Sequence, residues 1–366
     1  MILEQSNSFI HALAALVCAI LLSYAFTPIV RVLAFKVNAI DVPKDSRRMH
    51  KKPTPRIGGL AIFLSFIITA LFFCNYTKEM FLLLIGAALI VIVGVFDDIY
   101  SLNAFFKLGC QIVISAIPVI GGIKINDIHI GENVIELGIW SIPITILWIT
   151  MLSNAINIID GLDGLSCGVS TISAISIFVV IILQGEGYYF SLITIVLIGA
   201  CCGFLPYNRN PAKIFMGDTG ALFLGYTLSI ISVEGMLKTH MAISILLPLV
   251  IFALPLADTL FAVLRRLLTG KNPFSADRGH IHHRLIDMGF TQKETVKILY
   301  SICGILGMVA VSMCGTLFDE FTVTRSIAIA VIAILIFLIY IVILTNPEHR
   351  SHTGLLDDVN EEENVK

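Results

Sequence analysis

Hydrophobic residues occupy this chain in long blocks, separated by short polar turns and by two longer polar loops, over 34–56 and 265–294. A helix needs roughly 20 apolar residues to cross about 30 Å of hydrocarbon. Read at that length, the pattern predicts eleven transmembrane spans: 9–33, 57–75, 80–96, 106–121, 140–157, 166–184, 189–206, 219–233, 242–264, 295–316 and 325–345. A bilayer offers the backbone no water, so each span must close its own hydrogen bonds as a helix, and the expected fold class is all-α. Between the fourth and fifth spans, Ile123, Ile125, Ile128, Ile130 and Val134 alternate loosely around Gly131-Glu132-Asn133, which predicts a small hairpin. After Leu344 the chain turns polar and carries Glu361-Glu362-Glu363. The expected organisation is one transmembrane domain over 1–345 and a disordered acidic tail over 346–366.

Hydrophobic residues make up 57% of the 366 and charged residues 14%, with a mean hydropathy of +0.91, which excludes a water-soluble globule. The first apolar run lacks a basic leading region and a small-residue cleavage site, so it reads as a retained span. The eight cysteines lie in or beside apolar runs without CxxC spacing and read as small core residues. The net charge of −2 says less than its distribution. Of the 24 lysines and arginines, 20 fall on one side of the spans; Lys78, Lys124, Lys238 and Arg325 fall on the other. The side rich in Lys and Arg is expected to be cytoplasmic, which places the N-terminus outside and the C-terminus inside.

That topology sends every unusual polar cluster to the cytoplasmic face. Asn154, Asn157, Asp160 and Asp163 recur at three-residue spacing where the fifth span ends. At about 100° per residue the first three share one helix face, and an unbroken helix would carry Asp163 away from them. Gly161 and Gly164 are therefore expected to break the helix and fold Asp163 back. Asp97-Asp98 closes the third span and Lys107 opens the fourth. Asp218 starts the eighth span between Gly217 and Gly220, where it reads as a helix cap or a ligand. Asp258 lies two turns before Arg265 and Arg266 and is expected to lean towards them. Basic residues gather in His50-Lys51-Lys52-Pro53-Thr54-Pro55-Arg56 and in Arg278-Gly279-His280-Ile281-His282-His283-Arg284. The flanking arginines would repel a dication, so the histidines suit an anion better than zinc.

Carboxylates alone would repel an anionic substrate, but carboxylates holding Mg²⁺ beside Lys, Arg and His are the equipment of phosphoryl transfer. A site in a membrane implies a lipid partner, whose tail the neighbouring spans can bury. A cation-coupled transporter is the rival class, yet transporters place such acids near the midplane of two matching halves. Here the acids border one-sided loops and no repeat is visible. An intramembrane aspartyl protease would not need Lys107 or the histidine loop.

The ordered motifs His50-Lys51…Thr54-Pro55-Arg56…Gly58-Gly59, Phe96-Asp97-Asp98, Asn154 to Leu165, Pro211-Ala212-Lys213…Phe215-Met216-Gly217-Asp218 and His280-Ile281-His282-His283-Arg284 resemble the polyprenyl-phosphate N-acetylhexosamine-1-phosphate transferases. Thr-Pro-Arg, Ile159-Asp160 and His-Ile-His-His-Arg resemble the branch that uses UDP-GlcNAc more than the muropeptide branch. The resemblance implies transfer of GlcNAc-1-phosphate from UDP-GlcNAc to undecaprenyl phosphate at the bacterial plasma membrane, releasing UMP and opening a cell-envelope polysaccharide. Another UDP-N-acetylhexosamine is the alternative donor. The implied cofactor is Mg²⁺, with Mn²⁺ as a substitute. No nucleic-acid partner is expected, and a homodimer is left open. By this resemblance the catalytic acids are Asp97, Asp98 and Asp218, with Asp98 and Asp218 on the metal, Asn157 near it and Asp97 as the catalytic carboxylate. Lys107, Arg278, His280, His282 and His283 would hold the diphosphate or lipid phosphate. Asn154, Asp160, Asp163 and Asn208 would hold the nucleotide-sugar or brace the site, and Lys51 or Lys52 would do either.

Overall fold

The computed structural model describes residues 2–42, 53–130, 133–184, 188–237, 245–270 and 279–315. Lys51, Lys52, Arg278, the span expected at 325–345 and the tail at 346–366 lie outside them. The described chain is helical: α1 (Ile2–Lys36), α2 (Gly59–Phe73), α3 (Lys78–Tyr100), α4 (Ala104–Ile120), α5 (Ser141–Ile158), α6 (Leu165–Leu183), α7 (Tyr188–Asn208), α8 (Gly217–Ser232), α9 (Leu246–Ile251), α10 (Ala253–Leu268), α11 (Ile281–Asp287) and α12 (Gln292–Gly315). Six stretches within these are long and apolar enough to cross a membrane: Ser8–Lys36, Lys78–Tyr100, Gly138–Ile158, Leu165–Leu183, Phe190–Asn208 and Gln292–Cys314. The chain is thus a multi-pass membrane protein. The alternating segment forms an antiparallel pair, β3 (Asp127–Ile130) with β4 (Asn133–Glu136), as its pattern predicts.

Three predicted spans appear as shorter helices: α2 with 15 residues, α4 with 17 and α8 with 16. Helix α8 packs against α2, α3, α5 and α6 and buries every residue except Asp218. A helix surrounded by protein need not match the bilayer thickness, and it continues past Ser232 as a π-helical turn, Val233–Leu237. The span expected over 242–264 breaks at Phe252, because Pro255 has no N–H for a continuing ladder but fits the first turn of a new helix. Helix α10 then turns Asp258, Ala262 and Arg266 inward and leaves Leu260, Phe261, Leu264 and Leu267 exposed.

A pair of two-residue strands, β1 (Ile40–Asp41) and β2 (Thr54–Pro55), brings the chain after α1 up to the foot of α8. Arg56 N–H donates to Ala39 O at 3.1 Å, while Phe215 N–H donates to Pro55 O at 2.7 Å and Gly58 N–H to Phe215 O at 2.9 Å. Gly217 has φ +70°, and a Cβ there would strike Arg56 O and the Asp98 carboxylate. Glycine is what lets three chain segments converge at that point.

Candidate active site

The site forms where the ends of α3, α4, α5 and α8 meet. Ser101 ends α3 in a left-handed conformation with its N–H on Asp97 O, and Asn103 starts α4 by accepting Phe105 N–H, so the turn between α3 and α4 is set by local caps. That turn delivers Lys107 to Asp97: Nζ lies 2.7 Å from Asp97 Oδ2 and 2.5 Å from Asp218 Oδ2. Leu102 N–H donates to the other Asp97 oxygen at 2.7 Å. Asn157 on α5 donates its side-chain N–H to Asp218 Oδ2 at 3.3 Å.

Asp98 is the most heavily engaged acid of the cluster. Its Oδ1 accepts from Arg56 Nε at 2.9 Å and from Asp218 N–H at 3.1 Å; its Oδ2 accepts from Thr219 N–H at 3.0 Å and from Thr219 Oγ1 at 2.7 Å. The side chain is 0% exposed, whereas that of Asp218 is 20% exposed and lines a cleft. Asp98 of α3 therefore caps the first turn of α8 from a neighbouring helix. Asp218 stands in that turn without capping it.

The cleft draws on seven segments. Asp160, Gly161, Leu162 and Asp163 form one wall, while Asn208, Phe215, Met216 and Gly217 continue towards Asp218. Arg56, Asp41, His283 and Gln292 complete it. Helix α5 stops at Ile158, three residues before the expected break at Gly161, and Gly164 at φ +77° directs the chain into α6. Asp160 thus leaves the helix face predicted for it and enters the cleft. Burial first, and then the Asp218 and Asp98 carboxylates, hold its carboxyl well above the usual carboxylate range.

Asp163 does fold back, as expected, but its Oδ2 accepts from Asn210 Nδ2 at 3.0 Å and from Ala212 N–H at 3.0 Å, so it also anchors the loop before α8. Asn210 bridges onward to Gln292 Oε1 at 2.7 Å. Asn208, 2% exposed, donates to Ile214 O at 3.0 Å, and its buried Oδ1 has no donor among the described residues. Asn154, expected to hold the nucleotide-sugar or brace the site, faces a neighbouring helix. Its Nδ2 donates to Gln111 Oε1 at 2.5 Å and to Thr150 O at 2.8 Å, so it pairs α5 with α4 outside the cleft lining.

His283 reaches the cleft, while His280 and His282 stand in a row behind it. The His280 and His282 rings are parallel within 6° at 5.8 Å, and His282 lies 4.3 Å from His283. His282 is 2% exposed and packs on Gly161, where a Cβ would meet its ring. Burial, reinforced by His283 and His280 against the opposing pull of Asp258, pushes His282 down to about 4. Asp258 does not lean on Arg265 and Arg266 in the way expected. It holds His280 Nδ1 at 2.9 Å, because the start of the histidine helix α11 packs against that face of α10.

The sequence reading left out Arg56, Asp41 and Gln292 as site residues. Arg56 sat in a quoted motif, and its place just before Gly58-Gly59 was a usable signal. Asp41 and Gln292 reach the cleft through long-range packing and carry no local one.

Residues 80–236 match the model of glycosyl transferase family 4. The chain is 38% identical, over 95% of its length and 94% of the relative's, to a protein of Bacillus subtilis named probable undecaprenyl-phosphate N-acetylglucosaminyl 1-phosphate transferase. It is 35% identical to the decaprenyl-phosphate N-acetylglucosaminephosphotransferase of Mycobacterium tuberculosis, over 82% of each chain. It is 29% identical to the undecaprenyl-phosphate alpha-N-acetylglucosaminyl 1-phosphate transferase of Salmonella typhi, over 82% of this chain and 83% of that one. Relatives of matching length on both sides, together with a family motif that spans the helices carrying Asp97, Lys107, Asn157 and Asp218, place this chain in glycosyl transferase family 4.

Proposed function

We propose that this protein transfers GlcNAc-1-phosphate from UDP-GlcNAc to undecaprenyl phosphate on the cytoplasmic face of the plasma membrane, yielding undecaprenyl-pyrophosphoryl-GlcNAc and UMP as the opening step of a cell-envelope polysaccharide. The observation that carries the reading is the convergence of Asp97, Asp98 and Asp218 with Lys107 and Arg56 beside a polar cleft. An acceptor phosphate oxygen bonds to the β-phosphorus of the donor, the bond between the two phosphates breaks, and UMP leaves with the electron pair. Such a transfer depends on positioning and on neutralising negative charge.

Magnesium fits the donor set. Asp218 is a partly exposed carboxylate with the Asn157 amide beside it. That matches an ion held by one carboxylate and by substrate phosphates. Asp218 would hold it, with Asn157 adjacent; the ion would neutralise and orient the diphosphate. Asp98, expected as a second ligand, already accepts four hydrogen bonds and serves in this reading as the brace that fixes Asp218.

Asp97 is the carboxylate that assists the acceptor. A phosphate monoester loses its second proton near pH 6, so a positioned base suffices without a covalent intermediate. Lys107 and Arg56 supply fixed positive charge beside Asp218, and Arg278, His280, His282 and His283 hold the diphosphate or the lipid phosphate, His282 as a neutral ring. The unpartnered Oδ1 of Asn208 offers an acceptor to an N–H or O–H of the nucleotide-sugar, and Asp160 and Asp163 line the same wall. Asn154 braces α4 against α5.

The test is incubation of membranes containing the protein with undecaprenyl phosphate and UDP-GlcNAc labelled in the sugar. Label should enter lipid as UMP appears, and UDP-MurNAc-pentapeptide should be ignored. Absence of lipid-linked label would overturn the reaction; equal use of both donors would overturn the donor assignment.

A further inference from the structure

We infer that Asp258 is a positioning residue that fixes the orientation and the ring proton of His280. Asp258 is 4% exposed and lies outside the cleft lining. Its two oxygens serve one residue step: Oδ2 lies 2.9 Å from His280 Nδ1, and Oδ1 accepts the backbone N–H of Ile281 at 2.9 Å. The first contact sets the ring and the second sets the main chain that carries it. His280 is itself 7% exposed.

A carboxylate has only lone pairs to offer, so the nitrogen facing it must carry a proton. Nδ1 is therefore the protonated nitrogen, and Nε2 is the one left for a ligand. A ring held this way can meet a phosphate monoester in two states. As imidazolium it donates Nε2–H to a P–O⁻ oxygen; as neutral imidazole it accepts from a P–OH. The two arrangements share one proton between ring and phosphate, so His280 tolerates either ionisation state of the acceptor. Carboxylate partners of this kind set the tautomer and direction of histidines at other sites.

The His280 row continues through His282 to His283 in the cleft, so an error in the His280 ring propagates towards the substrate. Asp258 is separated in sequence by 22 residues, and its nearest charged neighbours along the chain, Arg265 and Arg266, offered a closer partner.

This inference rests on the proposed phosphate-binding role of His280. Asp258→Asn isolates it, because the amide oxygen can still accept Ile281 N–H while the amide N–H₂ faces Nδ1 and demands a lone pair there. Nitrogen-15 NMR of histidine-labelled protein in detergent should show His280 protonated at Nδ1 in the wild type and at Nε2 in Asp258→Asn. A wild-type His280 with a bare Nδ1 would overturn the inference whatever reaction the protein catalyses, and this reading survives any failure of the variant to fold. In the transfer assay, Asp258→Asn should lose about ten- to a hundred-fold in kcat/KM. It should cause no further loss in a His280→Ala background, since a residue acting through His280 has nothing left to act on. Multiplicative losses in the double variant, or wild-type turnover in Asp258→Asn, would overturn it. Absence of transfer by the wild type, with the predicted NMR pattern intact, would instead remove the proposed function.

Discussion

Two acids of the same type can hold opposite duties when their surroundings differ. Asp98 and Asp218 both carry the letter expected of a metal ligand, yet Asp98 is wrapped by Arg56, Thr219 and the α8 backbone while Asp218 faces the cleft. Removing one partner from a buried, hydrogen-bonded ion pair costs roughly 3–5 kcal/mol, because the other charge is left uncompensated. Asp98→Ala should therefore lower the melting temperature of the detergent-solubilised protein strongly. Asp218→Ala should abolish transfer while leaving that temperature within a few degrees of wild type. Differential scanning fluorimetry beside the transfer assay checks both. A stable but inactive Asp98→Ala would return Asp98 to the ligand set.

At the scale of elements, the histidine segment is held against the turn between α5 and α6. His282 packs on Gly161 and is pushed down to about 4 by burial, so the folded protein keeps it neutral where an unfolded chain would protonate it. The folded value lies below the ordinary 6.5, and the unfolded state therefore binds more protons between the two. Stability contributed by a neutral His282 is full above about pH 6.5 and declines as pH falls towards 4, by up to about 1.4 kcal/mol per pH unit. His282→Gln should flatten that acid limb in melting temperatures measured between pH 7.5 and pH 4.5. An unchanged limb would show that His282 is not the group responsible.

For the whole molecule, the joined helix ends give the charge asymmetry a structural counterpart. Asp97 ends α3, Lys107 begins α4, Asn157 ends α5 and Asp218 begins α8, so successive antiparallel helices present one polar end together. From the 20-to-4 division of Lys and Arg we propose that this end faces the cytoplasm. Cysteine at Thr269, exposed past the end of α10, should be shielded from an impermeant thiol reagent in intact cells. Cysteine at Ile139, 82% exposed beside the β3–β4 hairpin, should react in a background lacking other accessible thiols. The opposite pattern would invert the topology.

By itself the sequence determined the helical class, since long apolar blocks leave the backbone no other partner in a bilayer, and it determined which polar segments gather at one end. The turn at Gly164 and the β3–β4 hairpin were legible for the same reason: local backbone chemistry decides them. What it did not determine was the partner of each polar side chain. The spacing of Asn154, Asn157 and Asp160 describes one helix face, but packing against α4 gave Asn154 to Gln111 and the early end of α5 released Asp160 into the cleft. Asp258 was read beside the nearest arginines, and the fold gave it His280 instead. Likewise the adjacency of Asp97 and Asp98 says nothing of what each one meets. A helix turns about 100° between neighbours, so one acid met Lys107 and the other met the first turn of α8. Hydrogen-bond partners lie within about 3 Å in space, yet Asp98 and Thr219 are 121 residues apart in sequence, and only tertiary packing brings them together.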